Sequence, residues 1–174
     1  LRRAGFNRLS LGMQSANGAE LEEIGRVHTP RQTADAVEAA RKAGFDNLSL
    51  DLIYGLPHQT AERWMENLTA AMDLGPEHLS CYGLKVEADT PLARQVSLGL
   101  SLPDGDAQAD LYLRAVELLQ QGGGRALGAD GFPASELLLL SFCFPGIYRS
   151  PGRTLDAQQG SSGCDGRNGG KSGR

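Results

Sequence analysis

The sequence predicts an α/β fold in which parallel strands alternate with helices. Three strand patterns support this prediction: residues 8–15 (RLSLGMQS), 47–54 (NLSLDLIY) and 78–86 (HLSCYGLKV). Ser10, Ser49 and Ser80 occupy matching places in the three strands and are 39 and 31 residues apart. These separations fit strands that are joined by crossover helices, as a parallel sheet requires.

The segments between the strands carry residues that start and stop helices. Asn17 is a helix-capping residue, and Glu20 follows three residues later as a capping-box-like partner. Thr29-Pro30 begins a second helix, and Gly44 ends it. Two further helices begin at Thr60 and at Asp104 or Gly105. Their apolar faces are Trp64, Leu68 and Ala71 in the first and Leu111, Ala115 and Leu118 in the second.

Each predicted strand has one apolar and one polar face. In the second strand, Leu48, Leu50 and Leu52 lie opposite Ser49 and Asp51. A doubly wound sheet is apolar on both faces, and a closed eight-stranded barrel fills its interior with branched apolar side chains. The polar face of all three strands therefore favours a wider or incomplete barrel with a polar interior. A doubly wound fold remains the alternative.

Composition limits the classes of function. The chain has 174 residues, a formal net charge of −4 and 40% hydrophobic residues. An acidic chain argues against nucleic acid as the main partner, because phosphate binding needs a basic face. No apolar run reaches the roughly 20 residues of a membrane span. The three cysteines lie far apart, which suits a reducing cytoplasm and predicts no metal site within the chain.

The chain divides into two unlike regions. Residues 1–121 are predicted to form one folded domain, whereas residues 122–174 contain 13 of the 23 glycines and resemble no fold. The second region is either a flexible tail or an aberrant segment, such as a frameshift or a wrong gene model produces. The chain begins at Leu1 rather than at Met, which predicts a fragment of a longer protein.

Candidate ligand-binding residues lie where the strands end. Ligands of parallel α/β folds bind at the carboxyl ends of the strands, where Gln14, Asp51 and Tyr82 are found. Arg26 follows the short helix after the first strand. Structural interpretations remain open, because Asp51 could form an ion pair with Arg8 or another inward group, Arg26 could be a solvated helix-end charge and Gln14 could satisfy a loop.

Four ordered blocks resemble a known family, the radical S-adenosylmethionine proteins similar to oxygen-independent coproporphyrinogen III oxidase. The blocks are residues 5–17 (GFNRLSLGMQSAN), 25–29 (GRVHT), 44–60 (GFDNLSLDLIYGLPHQT) and 75–92 (GPEHLSCYGLKVEADTPL). The DLIYGLP stretch is the most specific of them. Ser15 stands where the oxidase typically has an acidic residue, and this favours the heme-chaperone branch of the family.

The resemblance implies a partial (β/α)6 barrel, of which residues 1–121 would form the second half. It also implies S-adenosylmethionine and a 4Fe–4S cluster as cofactors, and heme or a porphyrin as the bound partner. The oxidase uses a 5′-deoxyadenosyl radical to convert propionates to vinyl groups, while the chaperone branch passes heme to an acceptor protein.

The resemblance assigns cofactor binding to Gln14, Arg26 and Asp51, and it identifies no catalytic residue or metal ligand. Lys85 matches a position whose backbone approaches the nucleoside. The CxxxCxxC motif that holds the cluster is not in this sequence, so its ligands are expected upstream. Cys81 is predicted to be a small core residue instead.

Overall fold

The computed structural model describes residues 1–126 and 139–144. A 3₁₀ turn at Arg2–Ala4 precedes the first strand. The strands are β1 (Leu9–Gln14), β2 (Leu48–Tyr54), β3 (His78–Gly83), β4 (Arg125–Ala126) and β5 (Leu139–Cys143). The helices are α1 (Gly18–Glu23), α2 (Pro30–Lys42), α3 (Ala61–Asp73), α4 (Pro91–Ser97) and α5 (Gly105–Gln121).

One sheet contains all five strands in the order β1-β2-β3-β5-β4. The pairs β1–β2 and β2–β3 are parallel, which confirms the predicted α/β class with its parallel sheet. Ser10 lies in register with Ser49, as the matching serine positions suggested, whereas Ser80 lies in register with Asp51. β5 adds to β3 in the antiparallel sense, and β4 pairs with β5 at the edge.

The helix starts follow the capping residues of the sequence. The Thr29 hydroxyl accepts from the Gln32 N–H in a complete capping box, and Thr60 caps α3 by the same kind of bond. Asn17 caps α1, but the carboxylate of Glu20 does not return to the cap backbone as a capping box requires. It turns inward instead, because buried side-chain donors satisfy it there.

Helix α4 was not predicted, although its start repeats a signal that was recognised elsewhere. Thr90 accepts from the Ala93 N–H and precedes Pro91, as Thr29 precedes Pro30. The helix has seven residues and buries none of them. No apolar face therefore marked it in the sequence, since amphipathic periodicity needs a buried stripe.

The core lies on the apolar face of the sheet, under α2, α3 and α5. The strand residues Leu48, Leu50, Leu52, Leu79 and Cys81 are completely buried there. Trp64 of α3 donates its indole N–H to the Leu111 carbonyl oxygen at 3.0 Å, which joins α3 to α5. In α5 it is Leu119, rather than the predicted Leu118, that is completely buried. Burial raises the pKa of the Cys81 thiol, which agrees with its predicted core role.

Two strands lie beyond residue 121, where the sequence placed the end of the folded domain. β4 and β5 extend the sheet, and Phe142 and Phe144 are buried in it. Residues 127–138 and 145–174, which make up most of the predicted tail, lie outside the described residues. The division into two regions at residue 121 stays a prediction.

An ion pair fixes the amino-terminal end of the sheet. Arg41 Nη2, at the end of α2, lies 2.9 Å from Glu77 Oε1, and the same nitrogen donates to the Gly75 carbonyl oxygen at 2.6 Å. Glu77 also accepts from the Leu48 N–H at 2.7 Å, where β2 begins. Within the described part of the chain, no helix has the length and apolar character needed to cross a membrane.

Candidate cofactor-binding site

The polar face of the sheet forms a network of cross-strand hydrogen bonds. The Ser10 hydroxyl lies 3.0 Å from both carboxylate oxygens of Asp51. His78 Nδ1 lies 2.9 Å from Ser49 Oγ, and Nε2 lies 2.7 Å from Ser141 Oγ. Within the described residues Asp51 forms no ion pair with Arg8, and its carboxylate oxygens have further lone pairs open to a ligand.

Burial and charge tune the titration of His78 on this face. Desolvation is the largest cause that lowers the pKa of His78, and the positive charge of Arg8 lowers it further. The negative charge of Asp51 raises it. The neutral imidazole has one N–H, so one neighbouring serine accepts from the ring and the other donates to it. His78 therefore joins β2, β3 and β5 without needing a charge.

Gln14 lies at the carboxyl end of β1 in an unusual backbone conformation. Its φ is +63°, and the Ser15 N–H donates to the Met13 carbonyl oxygen at 2.8 Å across it. The strand register is irregular at this point, since Gly12 pairs with Asp51 and Gln14 pairs with Leu52. A Cβ atom on Gly12 would lie only 2.7 Å from Gln14 Nε2. The Gln14 amide thus folds back over Gly12, on the same face as Asp51.

Arg26 lines a cleft of about 610 Å³ at the carboxyl-terminal end of the sheet. The cleft lies between the end of α1, the ends of β2 and β3, and α4. Its walls include Arg26, Ile53, Lys85, Glu87 and Leu92. The Lys85 ammonium is paired with Glu87 Oε1 at 3.0 Å. Within the described residues, the Arg26 guanidinium has no ion pair or hydrogen bond and remains available.

The structure brings two of the three predicted residues together. Gln14 and Asp51 share the polar face beside Gly12. Arg26 lies in the cleft, whose lining does not include Gln14 or Asp51. Ile53 connects the two places, because it lines the cleft and follows Asp51 by two residues on the same face of β2.

A buried polar cluster beneath the site was not recognised in the sequence. We call it the Glu20 cluster, and it consists of Ser15, Glu20, Gln59 and Asn67, all at most 6% exposed. Glu20 Oε2 accepts from Ser15 Oγ at 2.6 Å and from Asn67 Nδ2 at 2.7 Å, and Gln59 Nε2 lies 3.3 Å away. In the sequence, Glu20 was interpreted as a capping-box-like partner of Asn17, and Ser15 was interpreted as a marker of the heme-chaperone branch. Neither pattern indicated that the two side chains meet.

The donors and acceptors present suit S-adenosylmethionine. A free guanidinium fits its carboxylate, a carboxylate fits ribose hydroxyls, and a side-chain amide fits an adenine edge. Gln14 can supply the side-chain amide, since within the described residues its amide makes no hydrogen bond.

The residues described here do not fit an iron–sulfur cluster. Across residues 1–126 and 139–144 there is no group of three or more His, Cys, Asp or Glu side chains that could hold a metal. Cys81 is in the apolar core, and Cys143 lies on a different strand and pairs with His78 rather than with Cys81. We therefore assign no cluster ligand within this part of the chain.

Comparison with known proteins agrees with the geometry. Residues 1–71 match the family model of the radical SAM superfamily. The chain is 41% identical over 118 residues to heme chaperone HemW of Lactococcus lactis, covering 67% of this chain and 31% of that protein. It is 40% identical over 147 residues to heme chaperone HemW of Mycobacterium tuberculosis, covering 84% of this chain and 35% of that protein. The second match is longer than residues 1–121 alone.

Among solved structures, the chain is similar to coproporphyrinogen III oxidase (HemN) from Escherichia coli, a radical SAM enzyme. The TM-score is 0.64 and the identity 28%, over 83% of this chain and 31% of that one. The chain thus spans about a third of the length of these relatives. From the family model, the chaperone sequences and the shared fold, we conclude that the chain belongs to the radical SAM superfamily, in the branch of the heme chaperones and coproporphyrinogen oxidase-like proteins.

Proposed function

We propose that the chain is part of the cofactor-binding barrel of a heme-chaperone-like radical SAM protein of heme metabolism. In this proposal Gln14, Arg26 and Asp51 bind S-adenosylmethionine. The observation that supports it best is the position of three polar groups with open hydrogen-bonding capacity. Gln14 and Arg26 lie at the carboxyl-terminal end of a parallel sheet, and Asp51 lies on its polar face in the middle of β2.

Each side chain has a separate task. Arg26 is exposed in the cleft and grips the carboxylate of the ligand with two donors. Asp51 accepts from the ribose hydroxyls while Ser10 holds the carboxylate in place. Gln14 presents an amide, which both donates and accepts, to the adenine edge.

The other cofactor and the partners follow from the family. When bound beside a 4Fe–4S cluster, S-adenosylmethionine supplies a 5′-deoxyadenosyl radical. The cluster ligands are proposed to lie upstream of these residues, because the described part holds no suitable set. Heme is the cargo, an acceptor protein receives it, and a cytoplasmic location stays a prediction from the sequence.

Calorimetric titration with S-adenosylmethionine tests the binding proposal. Arg26→Ala should weaken binding at least about tenfold, because a hydrogen bond to a charged group contributes roughly 1.5–3 kcal/mol. Arg31→Ala is the matched control, since Arg31 is an exposed arginine of α2. Equal affinities of Arg26→Ala and the unaltered protein would show that Arg26 is only a surface charge.

Coproporphyrinogen III oxidase activity is the second candidate, and the likeness to the Escherichia coli enzyme favours it. The chain joined to its cluster-bearing region, with S-adenosylmethionine and a reductant, should be given coproporphyrinogen III. Formation of protoporphyrinogen IX would exclude a pure carrier. Heme binding without turnover would exclude the oxidase, and the absence of both would leave an inactive fragment.

A further inference from the structure

The turn that holds Gln14 is energetically costly. A non-glycine residue with φ near +63° is uncommon, and a γ-turn closed across a positive φ is both rare and strained. The bond from the Ser15 N–H to the Met13 carbonyl oxygen closes this turn. A conformation of this kind persists only where the surrounding structure fixes it.

The backbone on both sides of Gln14 is fixed by side chains. The Met13 carbonyl oxygen also lies 3.2 Å from His28 Nε2, so two groups hold it. The Ala16 N–H donates to Asn67 Oδ1 at 2.9 Å, and the Asn17 N–H donates to Ser15 Oγ at 2.8 Å. The turn is therefore held at the Met13 carbonyl oxygen and at the backbone N–H groups of Ala16 and Asn17.

Glu20 is the acceptor at the centre of these contacts. Only 2% of it is exposed, and Oε2 receives the Ser15 hydroxyl and the Asn67 amide. The Ser15 hydroxyl has one hydrogen, which the 2.6 Å contact assigns to Glu20, while Asn67 Oδ1 accepts from the Ala16 N–H. Loss of the carboxylate would release both residues that hold the turn.

The cluster also includes the end of the neighbouring strand. Gln59 Nε2 lies 3.3 Å from Glu20 Oε2, and the side-chain oxygen Oε1 of Gln59 accepts from the Gly55 N–H at 2.8 Å. Glu20 Oε1, by contrast, is buried without a hydrogen-bond partner among the described residues. A carboxylate buried at this cost, with no cation beside it, is poorly explained by stability alone.

We propose that Glu20, acting with Ser15 and Asn67, is a positioning residue that holds Gln14 in its strained turn. It thereby sets the affinity of the chain for S-adenosylmethionine without touching the ligand. The effect on affinity rests on the proposed role of Gln14 in binding. The effect on the turn itself does not, so the two can be tested separately.

Nuclear magnetic resonance tests the turn without a ligand. In the unaltered chain the Gln14 side-chain amide should show a nuclear Overhauser contact to the Gly12 Hα atoms, because Nε2 lies over Gly12. Glu20→Ala should abolish this contact and accelerate exchange of the Ser15 amide. Glu20→Gln, which keeps one acceptor oxygen, should weaken it less. Glu66→Ala is the control, since Glu66 is exposed beside Asn67 on α3.

If Glu20→Ala does not fold, Ser15→Ala is the smaller change that opens the same contact. Persistence of the Gln14–Gly12 contact in a folded variant that lacks the Glu20 or Ser15 group would overturn the proposal, whether or not the chain binds S-adenosylmethionine. Loss of the contact would support it.

A double-mutant cycle tests the effect on affinity. Glu20→Gln should weaken S-adenosylmethionine binding about fivefold, whereas the same change made in Gln14→Ala should add no further loss. Multiplicative losses would mean that Glu20 does not act through Gln14 and would overturn the proposed coupling. If Gln14→Ala alone leaves binding unchanged, the proposed contact of Gln14 with the ligand is wrong, and the nuclear Overhauser measurement alone decides whether Glu20 holds the turn.

Discussion

The two ends of the sheet are each anchored by a glutamate, but with opposite chemistry. At the amino-terminal end, Glu77 is paired with Arg41 and accepts from the Leu48 N–H. At the carboxyl-terminal end, Glu20 is more deeply buried and is held by a hydroxyl and amides, with no cation in contact. The glutamate at one end is held by an ion pair, and the glutamate at the other end is held by neutral polar groups.

This difference matches the division of labour in parallel α/β folds, where ligands bind at the carboxyl ends of strands and the opposite end mainly provides stability. At the Glu77 end, the contacts join the end of α2, the loop before β3 and the start of β2. The Glu20 end contains the strained Gln14 turn and the cleft lined by Arg26. We expect substitutions at the two ends to separate stability from binding.

The largest loss of stability is expected for Glu77→Ala. The change removes the negatively charged partner of the partly buried Arg41 and the acceptor of the Leu48 N–H, at a cost of about 3 kcal/mol in the free energy of unfolding. Urea denaturation measures this quantity. Glu77→Gln, which retains an acceptor for Leu48, should lose less, and S-adenosylmethionine affinity should stay unchanged in both variants. A loss of affinity as large as that of Arg26→Ala would contradict the separation.

A smaller loss of stability is expected for Glu20→Ala, of about 2 kcal/mol. Buried donors of Ser15 and Asn67 lose their acceptor, but no buried cation is left behind. The same urea titration compares it with Glu77→Ala. In ligand binding the order should reverse, with Glu20→Ala the weaker binder. If the two variants rank alike in both measurements, the two ends do not differ in role.

A still smaller effect is expected from pH, through His78, the first residue of β3. Its pKa is lowered in the folded chain by burial and by Arg8, so the unfolded chain binds the proton more readily. Its contribution to stability is complete above the unfolded pKa of roughly 6.5 and is lost as the pH falls through the folded value. Unfolding measured from pH 7.5 to 5 should show this decline. His78→Gln should have a flatter profile, and an identical slope would exclude His78 as the cause.

No measurable change is expected for Glu38→Ala. Glu38 and Lys42 form an i,i+4 ion pair on the exposed face of α2, and the contact with Lys42 lowers the pKa of Glu38. Solvent and salt screen a pair of this kind. Unfolding of this variant sets the baseline for the Glu77 and Glu20 results. A clear loss of stability here would show that simple removal of a glutamate, rather than its place in the sheet, causes the effects.

Patterns of short range in the sequence predicted much of the fold. Alternation along 47–54 identified the buried face of β2, and Thr29, Thr60 and Asp104 were identified as helix starts that the structure shows. The same kind of signal at Thr90-Pro91 went unrecognised, because α4 buries no residue. The strand β5 was also missed, since the glycine-rich composition around it does not resemble a strand.

By itself the sequence determined the class of fold, the superfamily and the identity of Gln14, Arg26 and Asp51 as candidates. The class of fold depends on neighbours two to four residues apart, whose spacing is fixed by strand and helix geometry. The superfamily and the cofactor-binding role of the three residues come instead from the resemblance to a known family. Only the tertiary structure decided that Arg26 lines a separate cleft and that the Gln14 amide folds back over Gly12. It alone revealed the Glu20 cluster, because Ser15 and Glu20 meet Asn67 across 52 and 47 residues of chain, and no local pattern encodes such a contact.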